Sequence, residues 1–443
     1  KIAAIGGKDS MSGSFMDLDV PPTLVSFALC AEKTYNIRSS AFKAAGNPVY
    51  LFIADGDIDS DINYEGIKKN WDRYLKLCRE GAVSAGRALT NGGVAGAVIK
   101  MCAGNKIGFE FDINLDPDIL YKEYPGAIIA ECAIEGIDAV CLGRTAERQS
   151  ISYKECEIPL DTLLSEWRGV LEKVFPTDAG AGDAPRFEYR AGEKKYAVGR
   201  ISRPKAVIPV FPGTNCEYDT GRAVIRAGGD AECVIVSNLN SGALNESVER
   251  MVKAIESAQM LIIPGGFSGG DEPDGSGKFI AAFFRNPRLR DAVHELIGKR
   301  DGLVLGICNG FQALIKLGLV PFGEIRQAES DSPTLTYNLI GRHQSRYAFT
   351  RVCSDKSPWL NMCKAGEVYT IPMSHGEGRF VATDELIKIL AANGQIATQY
   401  VDISGSPSMK TEFNPSGSVC AIEGITSFDG RVFGKMGHSE RCG

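Results

Sequence analysis

The chain has 443 residues, of which 44% are hydrophobic and 23% charged, with a formal net charge of −6. Such a length buries a sizeable core and fits two or three domains, and the acidic balance supplies no positive field to hold nucleic acid. No apolar run reaches the ~18 residues of a membrane span and no signal peptide is visible, while thirteen scattered cysteines without a C-x-x-C pair read as reduced thiols of a cytoplasmic protein.

The chain opens on Lys1, with Ile2-Ala3-Ala4-Ile5 as a strand running into the loop Gly6-Gly7-Lys8-Asp9-Ser10. Such an opening suggests the downstream part of a longer polypeptide. Residues 24–30 and 48–54 are β-rich. Over 66–89 the positions Ile67, Trp71, Leu75, Cys78 and Val83 fall near a helical period and predict a helix. Gly92-Gly93 opens a second helical stretch over 94–103, and 127–134 and 137–142 predict strands. The acidic run Asp55–Asp61 fails the calcium-loop rule, because the sixth position counted from Asp57 is Ile62 and the twelfth Lys68; it reads as a solvated loop. Together residues 1–175 predict an α+β domain. Residues 176–204, punctuated by Pro176, Gly180, Gly182, Pro185, Gly192 and Pro204 and carrying Glu193-Lys194-Lys195, predict an interdomain linker.

From residue 205 strands and helices alternate. Ala206–Val210, Cys233–Val236, Met260–Ile263 and Leu303–Ile307 predict strands. Cys216–Ala227, closed by Gly228-Gly229, Glu246–Glu256, residues 277–285 and 288–299, and Phe311–Leu317 predict helices. Residues 334–443 are strand-rich. This alternation gives an α/β class with a doubly wound, mostly parallel sheet over 205–443, whose active site belongs beyond the carboxyl ends of the strands.

The segment Leu303-Val304-Leu305-Gly306-Ile307-Cys308-Asn309-Gly310-Phe311 runs an apolar strand through G-x-C-x-G into a helix. That is the nucleophile-elbow layout with cysteine in place of serine. The glycines admit a sharp turn, the helix N-terminus favours a thiolate, and the N–H of Asn309 is placed for a developing oxyanion. A buried core cysteine is the rival reading; the coincidence of strand, both glycines and helix speaks against it. Cys216, in Pro212-Gly213-Thr214-Asn215-Cys216-Glu217, also lies between strand and helix but lacks the second glycine. The turn Pro264-Gly265-Gly266-Phe267-Ser268-Gly269-Gly270-Asp271 sits at a strand end, where paired glycines bring backbone N–H groups close to a ligand, as a second oxyanion donor, or else form only a flexible turn.

A thiol nucleophile needs a histidine held by a third group. Of His294, His343, His375 and His438, the last two each precede a glutamate by two residues, in His375-Gly376-Glu377 and His438-Ser439-Glu440. In extended chain such residues share a face, and spacing alone leaves both pairs open.

Taken together, these residues resemble phosphoribosylformylglycinamidine synthase of the large single-chain type. The resemblance runs through Gly6-Gly-Lys-Asp-Ser-Met-Ser12, Leu120-Tyr-Lys-Glu-Tyr-Pro-Gly126, Phe211-Pro-Gly-Thr-Asn-Cys216, Gly265-Gly-Phe-Ser268 and Gly306-Ile-Cys-Asn-Gly-Phe-Gln312. It continues in Ser374-His-Gly-Glu-Gly-Arg379, Asn414-Pro-Ser-Gly-Ser418 and Gly437-His-Ser-Glu-Arg441. It implies an ATP-dependent ligase in purine biosynthesis, in which a glutaminase domain supplies ammonia to a synthetase of two related halves. Residues 1–175 then correspond to the end of the second half. The resemblance implies Cys308 as nucleophile, His438 as base and Glu440 as its orienter. Gly265, Gly266, Phe267, Asn309 and Gln312 would serve the oxyanion and the substrate. ATP and magnesium belong to the whole enzyme, and the glutaminase itself takes no cofactor or metal. The implied partners are glutamine, the upstream synthetase half and formylglycinamide ribonucleotide.

Two departures stand out. The family's M-P-H-P-E-R reads Met436-Gly437-His438-Ser439-Glu440-Arg441, without either proline. Its D-x-S-D-G-G reads Ala88-Leu89-Thr90-Asn91-Gly92-Gly93; alanine offers magnesium none of the carboxylate oxygens it wants, although Thr90 retains a hydroxyl for a phosphate. A glutaminase serving another acceptor, and a non-catalytic docking module with a vestigial thiol, are the competing readings.

Overall fold

The computed structural model describes residues 3–10, 13–15, 17–54, 62–192, 201–269 and 277–442. The acidic run Asp55–Asp61, the cluster Glu193-Lys194-Lys195, Met11 and Ser12, and Gly270 and Asp271 of the glycine-rich turn lie outside the described residues. Contacts divide the chain into two units, Lys1–Val170 and Leu171–Gly443.

In the first unit a seven-stranded sheet has the order Cys156–Pro159, Ser150–Tyr153, Gly108–Phe111, Val140–Ala146, Pro48–Phe52, Ile128–Cys132, Val83–Ala88. All neighbours are antiparallel except Ser150–Tyr153 beside Gly108–Phe111. Helices Tyr64–Arg79, Gly93–Ala103 and Leu160–Gly169 accompany it, and Val94, Val98 and Met101 pack with Val49, Leu51 and Phe109 in one buried cluster.

Two expectations change here. The helix expected over 66–89 ends at Arg79, after which Gly81 takes φ 76 and Val83–Ala88 is a strand. Only glycine turns back at such a φ without strain, and Val83 and Ala85 are buried with period two, the signature of a strand. The opening Gly6–Ser10 is not a loop: Ala4–Ser10 is a strand paired antiparallel with Thr23–Ala28.

In the second unit the nine-stranded sheet begins with five parallel strands, Asp230–Ile235, Lys205–Val210, Met260–Ile263, Leu303–Ile307 and Val432–Lys435. It continues antiparallel through Ile422–Thr426, Ile396–Val401, Gln344–Val352 and Val368–His375. Strand residues alternate between two layers. Val207, Leu261, Ile263 and Val304 face a core built with helices Ser241–Ser257, Pro287–Gly298 and Asn309–Leu317. Ala206, Ile208 and Ile262 face the other way, toward Val224 of helix Glu217–Arg226 and Trp359. Val207, Leu261 and Val304 are wholly buried, each worth roughly 1.5–3 kcal/mol of transfer free energy. Asn240 begins the helix at Ser241, several residues before the hydrophobic period becomes visible, because its side chain accepts the Ala243 N–H.

The stretch read as a linker, as far as Gly192, belongs to this unit. Asp183 bridges to Ser408 and Tyr189 to Ser354. Arg351, 1% exposed, donates to Phe187 O at 2.9 Å and to Glu188 Oε2 at 2.7 Å.

Glycines at 306 and 310 let the strand Leu303–Ile307 meet the helix Asn309–Leu317. A side-chain carbon on Gly310 would stand 2.0 Å from Ile263 O, and one on Gly306 2.7 Å from the Gly310 carbonyl carbon. Gly310→Ala is therefore expected to lower the urea midpoint by the equivalent of about 1–3 kcal/mol or more, since backbone cannot step aside as a flexible side chain can; an unchanged midpoint would show that the strand and helix can separate there.

Candidate functional site

Cys308 occupies the bend itself, with φ 51 and ψ −105. Its N–H is fixed to Lys435 O at 2.8 Å, and its thiol is directed to Ser374 O at 3.8 Å. It is the N-cap of a helix whose first N–H groups, Asn309 among them, have no partner within the helix. The Asn309 side chain faces the interior instead, accepting from Ser268 Oγ at 2.6 Å and donating to Gln312 Oε1 at 3.0 Å. Gln312 in turn donates to Glu377 O at 2.5 Å.

A cavity of about 230 Å³ is lined by Cys308, His438, Gln312, Gly266 and Phe267, with His375, Cys216 and Arg441. His438 is buried, and its Nδ1 lies 2.6 Å from Glu440 Oε1. That bond assigns the proton to Nδ1 and leaves a lone pair on Nε2. A side-chain carbon on Gly265 would stand 2.6 Å from His438 Cε1 and 3.4 Å from Cys308 Cβ, so the bare backbone of Gly265 is what lets imidazole and thiol share the cavity. In the same turn Phe267 N–H is committed to Gly213 O at 2.9 Å and Gly269 N–H to Pro212 O at 2.9 Å. The Phe267 contribution to the cavity is thus its ring. No hydrogen bond of the Gly265 or Gly266 N–H is made among the described residues.

The second H-x-E pair behaves differently. His375 Nδ1 is 3.1 Å from Asn338 Oδ1, not bonded to Glu377. Asn338 donates its own amide to Arg342 O and His375 O, so its Oδ1 is the acceptor and His375 Nδ1 the donor. Nε2 of His375 is then a buried acceptor with no partner among the described residues. Burial, reinforced by His343 and His438, pushes this imidazole down to about 3. A ring that stays neutral there is a poor proton carrier but a ready hydrogen-bond acceptor.

Cys216 lines the cavity with an ordinary φ of −106. Its sulfur accepts from Arg441 Nη2 at 3.0 Å. Burial raises its pKa, and Arg441 only partly offsets that. It is held as a neighbour of the imidazole and lacks the strained bend of Cys308. Sequence spacing gave no sign that Arg441 and Cys216 meet, because 225 residues separate them.

A larger, mostly apolar cavity of about 670 Å³ lies on the layer of Trp359 and Leu305. It reaches Glu440 but touches neither Cys308 nor His438, which both line the smaller cavity. Thr90 is exposed in the first unit, on the turn between Val83–Ala88 and Gly93–Ala103.

Residues 203–443 match a family model described as a CobB/CobQ-like glutamine amidotransferase domain. A phosphoribosylformylglycinamidine synthase subunit PurQ of Aquifex aeolicus is 34% identical over 243 residues, which cover 54% of this chain and 91% of that protein. The phosphoribosylformylglycinamidine synthase of Drosophila melanogaster is 26% identical over 418 residues, 83% of this chain but 30% of that relative. The solved PurLQS structure from Thermotoga maritima aligns with 54% of this chain and 89% of its own at 26% identity and a TM-score of 0.39.

His375 supplies a stability test. Its pKa is lower in the folded chain than the ordinary value of 6.5. The unfolded chain therefore binds the extra proton between 6.5 and about 3, and stability falls as pH falls through that window. Relative to His375→Gln, the wild-type chain is expected to lose up to about 1.4 kcal/mol per pH unit below 6; parallel urea-midpoint curves for the two from pH 7 to 4 would refute a buried neutral ring.

Proposed function

The chain belongs to the CobB/CobQ-like glutamine amidotransferase family, and on that premise we propose that its second unit hydrolyses glutamine as the glutaminase of a phosphoribosylformylglycinamidine synthase, a glutamine- and ATP-dependent ligase of purine biosynthesis. What carries the reading is the shared cavity, where Cys308 stands on a bend with φ 51 beside His438, itself held by Glu440 at 2.6 Å.

In this reading His438 Nε2 takes the Cys308 thiol proton, and the resulting thiolate attacks the side-chain carbonyl carbon of glutamine. The resulting oxyanion is met by the N–H of Asn309, and the turn Gly265-Gly266 supplies the second donor. His438 passes its proton to the departing ammonia, and Glu440 stabilises the imidazolium meanwhile. Water activated by the same imidazole then cleaves the thioester to glutamate. Acid–base help of this kind contributes about 10²–10⁴-fold. Gln312 and Phe267 form the walls against which the substrate chain lies.

In this reading residues 205–443 are the glutaminase, 176–204 is the connecting stretch, which packs on that unit as far as Gly192, and 1–175 is the end of the second synthetase half. The acceptor of ammonia is formylglycinamide ribonucleotide, bound with ATP by the upstream synthetase half. The first unit does not fit a nucleotide-bound magnesium of the family's kind: Ala88 carries no carboxylate where the family has one, and Thr90 is exposed. Among the described residues no helix is long and apolar enough to cross a membrane, and a reducing, cytoplasmic setting suits a working thiol.

Cys308→Ala is expected to abolish glutamine hydrolysis, by about 10³-fold or more, with glutamate release as the measurement; release at the wild-type rate would overturn the assignment. Adding the upstream synthetase half, formylglycinamide ribonucleotide and ATP should yield the amidine in proportion to glutamine consumed. Glutamine turnover without that product would instead favour a different acceptor.

A further inference from the structure

The loop that carries His438 and Glu440 leaves its strand at Lys435, and this lysine is buried against an equally buried Glu423, their side chains 7% and 0% exposed. Lys435 Nζ lies 3.5 Å from Glu423 Oε1. It donates to Gly437 O at 2.8 Å and to Ser439 Oγ at 2.8 Å. Glu423 Oε1 accepts the Gly437 N–H at 2.7 Å, its Oε2 accepts the Thr398 hydroxyl, and its carbonyl accepts the Met436 N–H at 3.3 Å. The residues before and after His438 are thus tied to one ion pair. The carbonyl of the same Lys435 takes the Cys308 N–H at 2.8 Å, so one residue anchors both the nucleophile and the loop of the base.

We propose that Lys435 and Glu423 are positioning residues that set the reach of His438 toward Cys308. The proposal rests on the catalytic assignment above. Two of the bonds need this chain's own loop residues: proline at 437 would have no N–H for Glu423, and proline at 439 no hydroxyl for Lys435. The fit at 437 is also tight, because a side-chain carbon there would stand 2.8 Å from Ile371 Cγ2 and 3.0 Å from Glu423 Oε1. Hydrogen bonds to a desolvated ion pair therefore hold the loop. Since a shift of ~1 Å in a reacting group costs about 10²-fold, the pair governs rate while remaining out of contact with glutamine.

The test uses the full chain. Glutamine kcat and KM are measured together with the pH dependence of Cys308 alkylation by iodoacetamide, for wild type, Lys435→Met, Ser439→Ala, Glu423→Gln and Glu423→Ala. Lys435→Met is expected to lower kcat by about 10²-fold with KM changed by less than about threefold. Its alkylation midpoint should move up toward the ordinary cysteine value of about 8.5, because the imidazolium no longer sits beside the sulfur. Ser439→Ala, which leaves no buried charge unpaired, should show the same two changes on a smaller scale. Glu423→Gln, which keeps an acceptor for the Gly437 N–H, should retain more kcat than Glu423→Ala. A kcat loss that only follows the folded fraction read by circular dichroism, with the midpoint unmoved, overturns the proposal. If Lys435→Met does not fold, an unchanged kcat and midpoint in Ser439→Ala overturn it. A wild-type Cys308 that no glutamine-analogue electrophile labels overturns the catalytic assignment and the clamp together, whereas a labelled wild type with unchanged variants overturns the clamp alone.

Discussion

Everything in the second unit turns on the bend at Cys308. A φ of 51 with ψ −105 is a conformation that a cysteine adopts only under constraint, at a cost of order 1–3 kcal/mol. The constraint is geometric: parallel strands at Met260–Ile263 and Leu303–Ile307 bring Ile263 O against Gly310, so the helix can start only one residue beyond the bend. The core of Leu314, Leu317 and Phe311 beneath that helix supplies the compensating burial. The same register puts the thiol at the carboxyl end of the central strands, where the turns from Pro264 and Phe211 meet it.

The imidazole reaches that thiol from a different direction. Its strand, Val432–Lys435, is the parallel neighbour of Leu303–Ile307, so Cys308 and His438 emerge side by side from the carboxyl ends of adjacent strands although 130 positions separate them in the chain. Gly265 then keeps the space between them open. This is why the two H-x-E pairs, equivalent on paper, differ in the folded chain. At His438 the chain curls back so that Glu440 meets the ring; at His375 the strand continues into a turn, and Asn338 takes Nδ1 instead.

Much of this is legible in the amino-acid order because it rests on local rules. Leu303–Ile307 is read to the residue, and G-x-C-x-G announces the bend through the two places where a side chain cannot fit. Where local rules compete, reading fails. Val83 falls near a helical period with Cys78 and into a strand alternation with Ala85, and only pairing with Ile128–Cys132 decides between them. The strand Ala4–Ser10 is hidden by its glycines, which suggest a loop until Thr23–Ala28 lies beside them. Asn338, Arg441 beside Cys216, and Glu423 leave no trace in spacing, since each acts on a partner brought close by the sheet. Lys435 did carry a signal, a charge closing the apolar run Val432-Phe433-Gly434; a cation in such a strand needs a partner.

The buried polar groups around the cavity sort by what they do to charge. His375 is kept neutral by burial, and Cys216 is kept a thiol by burial despite Arg441. In the proposed reaction neither competes with His438 for the proton. The ion pair Lys435–Glu423 lies on the other side of the loop and keeps its charges compensated by four hydrogen-bond partners, Gly437 N–H and O, Ser439 and Thr398. Here the charges nearest the loop cancel one another, and Glu440 is left as the group that bonds the ring. With His375 and Cys216 neutral beside the cavity and Lys435 paired with Glu423 behind the loop, the imidazole held by Glu440 is the group placed to carry a proton between thiol and departing ammonia in the proposed reaction.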